Sequence, residues 1–140
     1  MIALDTNLLV YAHLEGDTRH AAAQEVIQTA WRMGRGFGVS LPVVVEFYAV
    51  VTHPRVGVLP RVAESFVAQL QAQGLQVWTP RPDAVRRCLA LAAEHHVLGR
   101  RIYDVFIAVV ARDAGAQQLW THDARFFELD GLQRVLPLDA

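Results

Sequence analysis

Three acidic side chains of this chain stand beside apolar runs, where a carboxylate is costly to keep charged. Asp5 ends one such run, Glu46 follows a second, and Asp104 opens a third. Removing a carboxylate from water costs several kcal/mol unless a cation or hydrogen-bond donors compensate. The basic residues close in sequence to any of the three are Arg100 and Arg101, so local ion pairs do not neutralise them all. We therefore expect these acids to share a bound cation.

A fourth acid belongs with them by its position. Asp123, like Asp5, follows a short apolar run that is predicted to be a β-strand. The carboxyl ends of parallel strands converge on one edge of a sheet, and Glu46 and Asp104 face the same crevice if they lie near the first turns of their helices. Four carboxylates without a matching set of histidines and cysteines make an oxygen-rich site, which favours Mg²⁺ or Mn²⁺ over Zn²⁺. For each acid taken alone, a helix cap, a turn or a surface ion pair remains the alternative.

The elements that carry these acids are short apolar runs that alternate with helical patterns. The predicted strands are Met1–Leu4, Phe37–Val39, Leu75–Trp78, Gln118–Trp120 and Arg134–Leu136. The predicted helices are Leu8–Leu14, Arg19–Met33, Pro42–Thr52, Arg61–Gln73, Asp83–Val97 and Tyr103–Ala114. This alternation predicts the α/β class, with a short central parallel sheet flanked by helices in three layers. Without an internal repeat or linker, residues 1–140 are expected to form a single domain.

The composition excludes several other chemistries. All thirteen basic residues are arginine, so the chain lacks the lysine of P-loops, of Schiff-base enzymes and of phosphoaspartyl receivers. Ser40 and Ser65 lack the Gly-x-Ser-x-Gly context of a serine hydrolase. The net charge of −1 provides no global basic field, so any contact with nucleic acid requires a local patch.

The chain also has features that bear on its location. A lone Cys88 allows no intrachain disulfide, which suits a reducing compartment. The apolar stretch 39–51 is interrupted by polar residues and is shorter than the ~20 residues that cross a bilayer. The N-terminal apolar run has no basic leader and contains Asp5, which is not typical of a signal peptide. A cytoplasmic protein without a membrane segment is expected.

Four motifs in order give the chain a resemblance to a known family. They are Ala3–Asn7 (ALDTN), Val45–Phe47 (VEF), Tyr103–Ala108 (YDVFIA) and Thr121–Phe126 (THDARF), followed by Gly131–Leu132 and Pro137–Leu138 near the C-terminus. Each motif is weak alone, but together they span nearly the whole chain. The sequence resembles the PIN-domain family, and specifically the VapC-type toxin ribonucleases of toxin–antitoxin pairs.

This resemblance implies a function and a set of residues. It implies a Mg²⁺-dependent endoribonuclease, with Mn²⁺ as a possible substitute, that acts as the toxin of a type II toxin–antitoxin system. The catalytic and metal-binding residues would be Asp5, Glu46, Asp104 and Asp123, with Thr6, Asn7 and Thr121 in support. Asp5 and Asp104 are the first choices as direct ligands, and the division of the other roles stays open. The usual Ala-Ala after the third acid is Ala108–Val109 here, a departure that we expect to alter packing rather than chemistry.

The resemblance also implies partners, namely an RNA substrate, a cognate antitoxin and a second copy in a homodimer. Arg100, Arg101 and Arg125 are candidate ligands of RNA phosphates, since arginine offers a bidentate fork. Ion pairing with the acids or ordinary solvation is the open alternative for all three. Apolar surface for a dimer is expected on the helices that carry Phe47, Tyr48, Val50, Val51, Phe66 and Leu70, with burial of that surface against a sheet face as the alternative. The alternative function is a non-catalytic module of the same fold that binds RNA or protein.

Overall fold

A five-stranded parallel sheet forms the centre of the molecule in the computed structural model, which describes residues 1–139. The strands are β1 (Ile2–Leu4), β2 (Phe37–Ser40), β3 (Leu75–Trp78), β4 (Gln118–Trp120) and β5 (Gln133–Val135). Their order is β3-β2-β1-β4-β5, and each neighbouring pair is parallel. The middle strand β1 is buried along its whole length, as expected when helices cover both faces of a sheet.

Six α-helices connect and cover the strands. They are α1 (Thr6–His13), α2 (His20–Arg32), α3 (Leu41–Val51), α4 (Pro60–Ala72), α5 (Ala84–Glu94) and α6 (Ile102–Asp113), with short 3₁₀ turns at Gly99–Arg101 and Pro137–Asp139. The expected three-layer α/β fold with a short parallel sheet is confirmed. Within residues 1–139, no helix is long and apolar enough to cross a membrane.

Two helices that carry acids are fixed to the sheet by buried contacts. Helix α6 buries Val105 and five further residues, half of its 12 residues. The Ser40 hydroxyl, at the junction of β2 and α3, donates a buried 2.7 Å hydrogen bond to the carbonyl oxygen of Ile107 on α6. The start of α3 is therefore tied directly to the middle of α6. The lone Cys88 is buried on α5, which packs against α6.

The free apolar surface differs from the sequence prediction. Phe47 and Val51 have no exposed surface, and Leu70 is also buried, so these residues build the core. The helical period explains the difference, because Val43, Phe47 and Val51 recur every four residues on the core side of α3.

Other apolar residues lie on the outside of the same helix. Val45 is 61% exposed and Tyr48 is 45% exposed. Leu41 and Val50 are also exposed, and so is Tyr103 at the start of α6. This exposed apolar surface, made of Leu41, Val45, Tyr48, Val50 and Tyr103, is called the α3 face below.

Candidate active site

Four acids from four parts of the chain line one open pocket of about 300 Å³. Asp5 follows β1, and Asp123 lies three residues beyond the neighbouring strand β4. Asp104 is in the first turn of α6. Glu46 lies in the middle of α3 rather than near its first turn, and the helix nevertheless carries it to the pocket wall. The topology thus brings together the four acids that the sequence singled out.

Asp5 is held by short-range hydrogen bonds. Its Oδ1 accepts the backbone N–H of Thr6 at 2.7 Å, and its Oδ2 accepts the Thr121 hydroxyl at 2.7 Å. The Asn7 amide Nδ2 lies 3.4 Å from the same Oδ2. The Asp5 side chain is therefore fixed in one orientation and is only 6% exposed.

The polar neighbours of Asp5 also fix the loop after β4. Asn7 Nδ2 donates to Thr121 Oγ1 at 3.2 Å, and Asn7 Oδ1 accepts the backbone N–H of His122 at 3.1 Å. Thr121 Oγ1 accepts the backbone N–H of Asp123 at 3.0 Å. Of the three residues predicted as supporting, Asn7 and Thr121 thus connect the loops that carry Asp5 and Asp123, while Thr6 bonds to Asp5 alone.

The pKa of Asp5 is raised from 3.8 to about 6. Burial is the largest cause, and the hydrogen bonds from Thr121 and Thr6 oppose it. The charges of Asp104 and Glu46 raise the pKa further. In the part of the chain that the structure describes, no basic side chain forms an ion pair with Asp5 or with Glu46. The pocket therefore holds negative charge that its own residues leave uncompensated.

One arginine does contact two of the acids that line the pocket. Arg101 Nη1 donates to Asp104 Oδ2 and to Asp123 Oδ2, both at 3.2 Å, and to the backbone carbonyl of Arg125 at 3.0 Å. Burial raises the pKa of Asp104, and the Arg101 hydrogen bond opposes that shift.

The other two candidate arginines differ from Arg101. Among residues 1–139, neither the Arg100 nor the Arg125 side chain forms an ion pair with an acid. Arg100 borders an apolar groove beside Glu46 and Tyr103, and Arg125 is exposed. Both side chains are exposed and free of acidic partners in that range.

The chemistry of the donor set fits a hard divalent cation. Carboxylate oxygens are the ligands that Mg²⁺ prefers, and Mg²⁺ is commonly held by one or two carboxylates together with water. Thr6, which also lines the pocket, has a buried hydroxyl oxygen with no hydrogen-bond partner in residues 1–139. The described residues contain no group of three metal-ligating side chains already gathered to hold an ion. The pocket therefore offers oxygens to a cation without forming a closed cage.

Sequence reasoning missed Tyr11 and its neighbours at the pocket rim. Tyr11 lines the pocket, and its hydroxyl accepts Arg19 Nη1 at 2.9 Å. The His122 ring meets the Tyr11 ring edge-on, with 5.8 Å between centroids. The signal was present, because Tyr11 lies four residues after Asn7 and so shares its face of α1.

A family model for the PIN domain matches residues 2–132 of the chain. A comparison with curated protein sequences finds no match.

Several solved structures have the same fold. Mycobacterium tuberculosis VapC20, described as a sarcin–ricin loop cleaving toxin, is 21% identical with a TM-score of 0.73, covering 90% of this chain and 92% of its own. VapBC2 from Rickettsia felis, bound to a promoter DNA fragment, is 18% identical with a TM-score of 0.70, over 96% of this chain and 98% of its own. A toxin–antitoxin complex from Klebsiella pneumoniae is 17% identical with a TM-score of 0.67, over 98% of each chain.

Proposed function

Since the chain belongs to the PIN-domain family, we propose that it is a metal-dependent endoribonuclease and the toxin of a type II toxin–antitoxin system. The observation that carries the proposal is the pocket lined by Asp5, Glu46, Asp104 and Asp123. Two of its acids lack a basic partner among the described residues, and the carboxylate oxygens suit Mg²⁺ or Mn²⁺. A single globular unit in the cytoplasm is part of the same proposal.

The roles of the four acids follow from their surroundings. Asp5, fixed by Thr6 and Thr121, and Asp104, in the first turn of α6, are the proposed direct ligands. A bound divalent cation lowers the pKa of water and screens charge on the phosphate under attack. The Glu46 side chain lines the pocket without an ion pair among the described residues, and its proposed role is to orient a water or accept its proton. The backbone N–H of Asp123 donates to Thr121 Oγ1, and the Asp123 carboxylate is the fourth negative charge that lines the pocket.

The proposed substrate is a particular RNA rather than bulk nucleic acid. Thirteen arginines against fourteen acids give little long-range attraction for phosphate, so recognition rests on a few local contacts. The exposed Arg100 and Arg125 are the proposed phosphate ligands, and Arg101 joins them once it is free of its acids. Single-stranded loops are the parts of RNA whose bases can be splayed out and read. The structurally similar VapC20 is described as a sarcin–ricin loop cleaving toxin.

A cognate antitoxin and a homodimer complete the proposal. The structurally similar protein from Klebsiella pneumoniae is described as a toxin–antitoxin complex. The α3 face provides exposed apolar surface beside the pocket, and a second copy would bury it.

The experiment is cleavage of total RNA by the purified protein, with new 5′ ends mapped by sequencing. We expect cleavage with Mg²⁺, none with EDTA, and a loss of at least about a hundredfold in D104N and E46Q. D130N and E94Q are the matched controls, because Asp130 and Glu94 are exposed acids outside the pocket. Equal cleavage by D104N and D130N would contradict the catalytic assignment. Binding of RNA without cleavage under all metal conditions would favour the non-catalytic alternative.

A further inference from the structure

Arg101 contacts one carboxylate oxygen of each of two acids that would help to hold a metal ion in this pocket. Its Nη1 is the shared donor to Asp104 Oδ2 and Asp123 Oδ2, and a third acceptor, the Arg125 carbonyl, holds it in place. We propose that Arg101 is an internal counter-cation that competes with the divalent metal for Asp104 and Asp123, and that metal binding transfers its guanidinium to a substrate phosphate. The inference rests on the proposed function, because it assumes that the pocket takes a metal.

The competition follows from charge and geometry. A Mg²⁺ ion binds oxygen at about 2.0–2.1 Å, whereas the guanidinium nitrogen lies 3.2 Å from each oxygen. A cation on these oxygens would stand next to a second positive charge, and that repulsion is strong where water is partly excluded. The two cations therefore cannot both keep their full set of contacts with Asp104 and Asp123.

Arginine has only one way to resolve this conflict. A histidine or lysine can lose its proton and its charge, but the guanidinium stays charged under all ordinary conditions. Arg101 must therefore move. Its side chain is 45% exposed, so the path toward solvent is open. It also ends the 3₁₀ turn Gly99–Arg101 just before α6, so the side chain can swing while Asp104 stays in the helix.

The rest of the pocket supports the order of events. Asp5 and Glu46 have no basic partner in residues 1–139, so a cation meets no competitor there. The Oδ2 atoms of Asp104 and Asp123 become fully available only when Arg101 leaves. The released guanidinium remains near the acids, where a phosphate offers two oxygens in place of the two carboxylate oxygens that it has lost.

The test measures metal affinity and not only activity. Mn²⁺ binding is followed by electron paramagnetic resonance in the wild type, R101Q and R100Q. Arg100 is the matched control, since it is the preceding residue, carries the same charge and forms no ion pair with the acids. We expect R101Q to bind Mn²⁺ about two- to tenfold more tightly than R100Q, the range for loss of two partly exposed ion pairs. The side chain is half-exposed and folding is expected to persist, and R101M provides a second variant with the same expectation.

The outcomes separate this inference from the proposed function. Equal Mn²⁺ affinity of R101Q, R101M and R100Q would overturn the competition, while the metal site itself would stand if D104N binds Mn²⁺ more weakly than D130N. Absence of Mn²⁺ binding in the wild type would overturn both. Tighter Mn²⁺ binding by R101Q together with a higher KM for RNA than the wild type would support the transfer of the guanidinium to phosphate. Tighter Mn²⁺ binding with an unchanged KM would limit Arg101 to the role of competitor and contradict the transfer.

Discussion

Asp5 couples the stability of the metal-free protein to pH. Its pKa in the folded state, about 6, lies above the ordinary 3.8, so folding favours the protonated form. The folded state therefore loses stability relative to the unfolded state as the pH rises from about 4 to about 6. Above that pH window, a pKa shift of this size lowers the free energy of unfolding by about 3 kcal/mol. A bound cation would remove much of this cost.

We predict that D5N lacks this pH dependence. In EDTA, the Tm of D5N minus that of the wild type is expected to increase as the pH is raised from 4 to 7, because only the wild type develops the buried charge. The amide cannot accept both the Thr6 and the Thr121 hydrogen bonds, and that loss gives an offset that is independent of pH. The slope is therefore the quantity to measure, with D130N as the control. A difference in Tm that stays constant over this pH range would show that the pKa of Asp5 is not raised in the folded protein.

The convergence of the four acids was predictable, but the position of Arg101 was not. Asp5 and Asp123 follow strands that lie side by side, and parallel topology brings such residues together. Arg100 and Arg101 are adjacent and of one type, so the sequence cannot separate them. Only the 3₁₀ turn before α6 decides which guanidinium points at the acids.

At the scale of elements, the tight pairing of β2 and β3 supports the helix that carries Glu46. A Cβ on Gly38 would lie 2.5 Å from the Trp78 ring and 2.8 Å from the Gln76 carbonyl oxygen. The carbonyl belongs to the β3 backbone and cannot move without breaking the ladder, which pairs Gly38 with Gln76.

We predict that G38A is destabilised by about 2–4 kcal/mol, measured by urea unfolding, because overpacking against backbone is poorly relieved. G16A is the control, since a Cβ on Gly16 meets nothing within 4 Å. Similar midpoints for the two variants would mean that β2 and β3 are free to separate.

Hydrophobic periodicity and the positions of glycine and proline predicted most boundaries of the helices and strands. The exceptions have local causes. The first helix begins at Thr6 and not at Leu8, because the Asp5 carboxylate accepts the Thr6 N–H and caps it. Helix α5 ends at Glu94, three residues before the predicted end at Val97. The reason is His96, whose φ of +51° places it in the left-handed region without a glycine to signal the turn.

At the scale of the whole molecule, the α3 face is the surface with the strongest reason to be covered. Leu41, Val45 and Tyr48 follow a helical spacing and are all exposed, next to the pocket that contains Glu46. A contiguous apolar surface of this kind marks an interface more often than it marks ordinary solvent contact.

We predict that V45E shifts the protein from dimer to monomer, because two buried carboxylates would face each other across a symmetric contact. Light scattering coupled to gel filtration measures the mass. V85E is the comparison, since Val85 is 54% exposed on α5 and outside the α3 face. A wild-type protein that is monomeric at all concentrations would contradict the proposed dimer. A dimer that dissociates in V85E but not in V45E would show that the interface lies on α5 instead.

The buried Cys88 has a practical consequence for measuring motion. It is the chain's one thiol, it has no exposed surface, and burial raises its pKa, so a reagent reacts with it only after α5 separates from its neighbours. Helix α5 packs against α6, the element that carries Asp104. The labelling rate of the unmodified protein therefore reports the free energy of local opening at this helix pair. A ligand that stabilises α6 is expected to slow the labelling of Cys88. The decrease in rate then measures how strongly ligand binding is coupled to the stability of this helix pair, in a protein without an added tag or substitution.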